Sequence, residues 1–162
     1  MIRYSYGMLG LGLAVLAGCA SNSSESATEP VAPRASASSA IPASGLGPQQ
    51  LAPGECGLFL WSKTDSSKFI FFSRATSGQA LFKYQDESLN LQQVSAGGTI
   101  FGQFNTEQGY QTTDGQSVAL TFESGERMDG GQRIDNGLIT VEDAEGWRTK
   151  LPVLGIRACL PE

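Results

Sequence analysis

YQTTDGQSVALTFE, residues 110–123, decides the fold. From Ser117 to Glu123 polar and apolar side chains alternate. Val118, Leu120 and Phe122 fall on one face of an extended chain, Ala119 and Thr121 on the other. A period of two marks a strand with one buried face. Just before it, Asp114-Gly115 separates "YQTT" from "QSVAL", and both residue types accept the positive φ of a tight hairpin turn. The stretch predicts two antiparallel strands joined by a hairpin.

Working outward, the same grammar repeats. "CGLFLW" (56–61) and "KFIFFS" (68–73) are apolar on both faces, as in strands buried between layers. "SLNLQQV" (88–94) points Leu89 and Leu91 one way, Asn90 and Gln92 the other. "GLITVED" (137–143) and "WRTKLPVLGIRAC" (147–159) complete the set, with Pro152 demoting part of the last to an edge or bend. Asn136-Gly137 reads as a second hairpin, and "SAGGT", "DGGQ" and "DAEGW" as further breaks. No segment carries a helical stripe. Residues 51–162 therefore predict one all-β domain, a small antiparallel sandwich or barrel, without internal repeat.

Bulk properties exclude whole classes of function. The chain has 162 residues, room for one modest domain, and a net charge of -5. With no basic stripe, a nucleic-acid partner is not expected. Histidine is absent altogether. That removes Ser-His-Asp and Cys-His catalysis and every imidazole-based metal site. No cofactor and no metal are expected.

The N-terminus carries a different message. Arg3 is followed by an apolar run from Gly7 to Gly18, too short for a bilayer-spanning helix, which needs about 20 residues. It fits the core of a secretory signal peptide. The run ends Leu16-Ala17-Gly18-Cys19, which resembles the lipobox of bacterial lipoprotein precursors. That resemblance covers the first 19 residues. It implies cleavage before Cys19, a diacylglycerol on the Cys19 sulfur, and an acylated amino terminus with palmitate as the expected kind of chain. More than one acyl chain is what stable anchoring requires. Ala20 and Ser21 follow, with no Asp at the second mature position. The resemblance thus implies sorting to the outer membrane, with the domain held in the cell envelope.

Residues 20–50 contain 8 Ser, 7 Ala and 4 Pro among 31 positions, with no helix or strand period. Such a stretch buries too little apolar surface to offset its ordering entropy. The expected organisation is a signal peptide over 1–18, a lipidated Cys and disordered linker over 19–50, and the β domain over 51–162. With Cys19 modified, Cys56 and Cys159 remain, one near each end of the domain. Export puts them in an oxidising compartment where a disulfide can persist. Two buried thiols are the alternative.

Chemistry is sparser. Asp129, Asp135, Glu142 and Asp143 cluster in sequence, but "DGGQRIDNG" supplies only part of a calcium-loop pattern, and a solvated acidic face is the better reading. Ser95 and Ser124 lack a plausible base, leaving only a formal pairing with Lys63, Lys68, Lys83 or Lys150. Phe101, Phe104, Tyr110 and Trp147 lie in or beside Gly- and Gln-rich strand ends. Exposed, they would form an aromatic platform for a glycan or a partner protein; otherwise they are core and rim.

The lipobox, acidic balance and late cysteine are also similar to those of membrane-bound inhibitors of c-type lysozyme. The C-terminal "SGERMDGGQRIDNGLITVEDAEGWRTKLPVLGIRACL" does not reproduce their inhibitory motif, so no residue role is carried over. The expectation is a non-catalytic lipoprotein whose β domain binds or scaffolds another envelope component. An acidic inhibitor of a basic cell-wall-degrading enzyme is the alternative.

Overall fold

The structure, a computed structural model, describes residues 40–162. The signal peptide, Cys19 and the linker up to residue 39 lie outside the described residues. The described part is all strand: β1 (Cys56–Ser62), β2 (Phe69–Arg74), β3 (Gln79–Tyr84), β4 (Glu87–Phe101), β5 (Phe104–Gln111), β6 (Ser117–Glu123), β7 (Arg127–Met128), β8 (Gly131–Glu142) and β9 (Arg148–Cys159). Every pairing is antiparallel, in the order β6-β5-β4-β3-β2-β1-β9-β8-β7. A further β6–β8 ladder, Ser117↔Glu142 to Glu123↔Asn136, joins the ends. Of the expected sandwich or barrel, the chain forms a closed barrel of eight strands, with β7 as one extra. Closure removes the long free edges that invite unwanted strand pairing.

The alternation in β6 becomes the barrel wall. Val118, Leu120 and Phe122 are buried, while Ser117, Ala119, Thr121 and Glu123 face out. This polarity, apolar inside and polar outside, is the reverse of a membrane-spanning barrel. Side chains fill the interior. Phe71 meets Tyr110 edge-on at 5.6 Å between ring centroids, and Phe101 meets Phe122 at 5.1 Å.

The strands apolar on both faces have a second layer to bury against. Leu58 and Leu60 point inward, whereas Phe59 packs on Phe72 (4.9 Å) and Trp61 on Phe69 (5.0 Å) on the outer wall. Residues 45–51, rather than another sheet, run over this outer layer, with Gly45 against the Phe69 backbone and Leu51 beside Phe59 and Phe72 at Gly57. Ala40 and Ile41 pack against the core, and the Ala43 amide donates to Asp86 Oδ1 (2.6 Å). The Leu46 amide donates to the Phe69 carbonyl (2.6 Å), and Arg74 Nη2 donates to the Gln50 carbonyl (3.0 Å). Residues 40–50 form neither helix nor strand, yet they lie as a strap along β2.

Two turn readings need correction. Asn136-Gly137 is not a hairpin but the interior of β8, where the register shifts between Ile134 and Gly137. There Gly137 supplies close approach rather than positive φ, since a Cβ would meet Val153 Cγ2 at 2.9 Å and Phe122 Cβ at 3.3 Å. "SAGGT" does not break the chain either. It lies within β4, whose register against β5 shifts between Gln93 and Ser95 and again between Gly97 and Ile100. Asp114-Gly115 does join β5 to β6, in a longer loop closed by Thr112 N–H to Gln116 O (3.0 Å), with Gly115 at φ 92°. The two-residue reversal Gln85-Asp86 between β3 and β4 places two non-glycine residues at φ 47° and 67°. Pro152 sits where the β1–β9 ladder has already ended at Ser62↔Val153 and β9 pairs with β8 alone.

Candidate functional site

A depression of about 550 Å³ lies on the outer wall where β4 changes partners. The β3–β4 ladder ends at Gln79↔Gln92, and the β4–β5 ladder begins at Gln92↔Gln111. Directly opposed residues in adjacent strands share a face. Gln79, Gln92 and Gln111 therefore form one row of exposed amides across three strands. A second row, Phe72↔Leu81↔Asn90, runs beside it. Leu81 is half-buried and Val94 is 60% exposed, and both line the depression with Phe72 beneath. The β2–β3 turn contributes Ser77, and the β5–β6 loop contributes Thr112 and Thr113.

No carboxylate lines this groove among the described residues, and its one cation is already engaged. Arg74 lies over the Phe72 ring at 5.0 Å, its Nε sits 3.5 Å from Glu55 Oε2, and it bonds the Gln50 carbonyl. Glu55 is fixed in turn. The Ala52 amide first, then the Thr76 hydroxyl and Arg74, hold its carboxylate below the usual range against partial desolvation. Gln92 Nε2 donates to the Gly78 carbonyl (3.1 Å), which steadies the central amide. The groove can thus offer paired donors and acceptors over an apolar floor with little net charge.

The sequence-predicted residues fall elsewhere. Cys56 and Cys159 are joined as a disulfide across the β1–β9 ladder. Phe101, Phe104 and Tyr110 are 2%, 6% and 1% exposed, so they belong to the core, whereas Trp147 is 77% exposed at the β8–β9 turn. The four do not form a shared aromatic platform. Phe101 and Phe104 point inward because their pair closes the β4–β5 hairpin over the barrel interior, and Tyr110 lies on the inward face of β5 at its other end. Cys19 lies outside the described residues.

The acidic residues also disperse. Asp135 pairs with Arg133 (3.2 Å), Glu142 pairs with Arg148 (2.6 Å), and Asp143 Oδ1 accepts from the Glu145 and Trp147 amides. Among the described residues no group of three or more His, Cys, Asp or Glu is placed to hold a metal ion. Lys63 and Lys68 bond to Asn136 and Ala43, and Lys83 bonds to the Asp86 carbonyl (2.6 Å) and, at the long distance of 3.5 Å, to Ser88 Oγ.

The glutamine row escaped sequence reading because three residues spaced over 33 positions meet only through register. The one available sign was the alternation of "SLNLQQV", which sets Asn90 and Gln92 on the same face. Comparison with protein families, with curated proteins and with solved structures finds no match to this chain.

Proposed function

We propose that this chain is a lipid-anchored envelope protein whose barrel is a non-catalytic binding module, with the β3–β4–β5 groove as its site. The observation that carries the reading is the groove itself. The barrel interior is filled by its own side chains, so a ligand must bind outside, and this is where the wall offers depth and convergent polar groups. The lipobox ending in Cys19 supplies the anchor, and residues 20–39 the tether. An outer-membrane address in the cell envelope follows from the same motif.

Two experiments test the halves separately. Cys19→Ser should move the protein from the membrane fraction or leave it uncleaved; unchanged anchoring sinks the lipoprotein half. For the binding half, immobilised full-length chain is compared with Val94→Arg in capturing envelope components. Val94 is largely exposed, so the substitution fills the groove without disturbing the core. A component held by the wild type and lost by Val94→Arg supports the site, and equal capture rejects it.

Inhibition of a basic wall-degrading enzyme is favoured by a different feature. Glu123, Glu126 and Asp129 are all exposed around the β6–β7–β8 connections. Capture indifferent to Val94→Arg but lost at high salt would select that reading, because exposed charge pairing is screened.

A further inference from the structure

Resting on the groove as the binding site, we propose that its ligand is a neutral oligosaccharide. Charge comes first. The chain carries a net charge of -5, yet this depression is lined by no carboxylate among the described residues, and Arg74 is already paired with Glu55. A strongly cationic or anionic ligand would have no counter-charge there.

The donor set comes second. Strands in a sheet lie about 4.8 Å apart, so the row Gln79–Gln92–Gln111 spans about 10 Å, the length of two pyranose rings. A primary amide carries two N–H donors beside a carbonyl acceptor, and even Gln92, which spends one N–H on the Gly78 carbonyl, keeps a donor and an acceptor to match the adjacent hydroxyls of a sugar. Leu81 and Val94 give the C–H face of a ring an apolar surface to lie on.

The backbone comes third. β4 is paired to β3 up to Gln92 and to β5 from Gln92 onward, and the barrel is closed. Each half of β4 therefore keeps one edge without a ladder partner beside the groove, where an extended peptide can add as a strand. A peptide occupant is the outcome that the protease arm below separates from a sugar.

The test follows the side-chain amide resonances of the full-length chain during titration with chitotetraose and, separately, maltotetraose. The expected result is a saturable shift of the Gln79, Gln92, Gln111 and Asn90 amides with at least one sugar, unchanged by added salt. Gln92→Ala combined with Gln111→Ala should weaken binding about tenfold or more. Both residues are exposed, so an unaltered melting curve separates lost binding from lost folding. If neither sugar moves these resonances, or if they move only elsewhere, the oligosaccharide assignment is overturned. The capture experiment tells that failure from failure of the site. A Val94-dependent component destroyed by protease keeps the groove and removes the sugar, whereas the absence of any Val94-dependent component removes both.

Discussion

Cys56 and Cys159 stand directly opposite each other as the last pair of the β1–β9 ladder, bonded across 103 residues of sequence with Cα atoms 4.0 Å apart. The bridge therefore ties the first strand to the last, at the seam where the two ends of the domain meet. It sits beside backbone bonds that extend the seam, Leu160 N–H to Glu55 O at 2.9 Å and Gly54 N–H to Leu160 O at 3.0 Å. Replacing both cysteines by alanine should cost about 2–4 kcal/mol, since a long loop is released in the unfolded chain. The melting temperature should fall by roughly 8–15 °C. A thermal scan with and without reductant checks this, and coincident scans would contradict it.

Tyr110 gives the barrel an alkaline limit. Its hydroxyl donates to Gln108 Oε1, and the ring is 1% exposed. Burial pushes its pKa up to about 12, only partly opposed by the bond with Ser73 (3.3 Å). The folded state thus keeps the phenol proton after the unfolded state has lost it. Stability is fully present below about pH 10 and falls as the pH rises toward 12, by about 2–3 kcal/mol in all. Tyr110→Phe should flatten that decline in denaturant titrations, at a cost of about 1 kcal/mol at neutral pH for the lost hydrogen bond. An equally steep alkaline decline in the variant would assign it to another group.

Two glycines should respond in opposite ways to the same methyl group. A Cβ on Gly155 would overlap the Phe59 carbonyl oxygen and lie 3.0 Å from Leu60 Cα, so β1 and β9 would have to part. Gly155→Ala should cost about 3 kcal/mol. Gly47, in the strap, has nothing within 4 Å of its would-be Cβ. Gly47→Ala should be neutral or stabilise by about 0.5 kcal/mol through the unfolded chain. Paired urea melts test both, and equal effects would mean that the β1–β9 approach is looser than described.

Arg157 closes the barrel beneath Phe101. Its guanidinium carbon lies 5.6 Å from that ring, and Nη1 reaches Gln103 Oε1 at 3.4 Å. Its Nε is buried without a hydrogen-bond partner among the described residues. The stem therefore contributes packing while part of the head is costly to bury. Arg157→Met should change stability by less than about 1 kcal/mol, whereas Arg157→Ala should lose about 2 kcal/mol of packing. A methionine variant as unstable as the alanine variant would show that the charge itself carries the contact.

Much of the architecture was legible because it is local. The alternation of Val118, Leu120 and Phe122, and the turns at Asp114-Gly115 and "DAEGW", follow from the nearest neighbours along the chain. Asn136-Gly137 misled because glycine serves two ends. Positive φ and close approach leave the same letter in the sequence, and only the neighbours Val153 and Phe122 tell them apart. Closure of the barrel rests on β6 pairing with β8 across the short β7 excursion, a relationship no local pattern encodes. Phe101, Phe104 and Tyr110 looked available because Gly and Gln surround them, yet outward neighbours such as Gly102 and Gln111 are what a barrel strand end presents to water. The strap was missed for a related reason. Its composition cannot sustain structure alone, but it borrows order from the phenylalanines of β1 and β2.

The strap also gives the molecule a mechanical character. Tension arriving at residue 40 would not be applied to the barrel wall at once. It would first lift Ala40 and Ile41 from the core, then peel Ala43 from Asp86 and Lys68, then Leu46 from Phe69, then Gln50 from Arg74, one weak contact at a time. The load would next reach β1 at Cys56, where the covalent link hands it across to β9. A tug on the tether is thus taken up by a short run of expendable bonds and then arrested at a single fixed stop, before it reaches the hoop of strands.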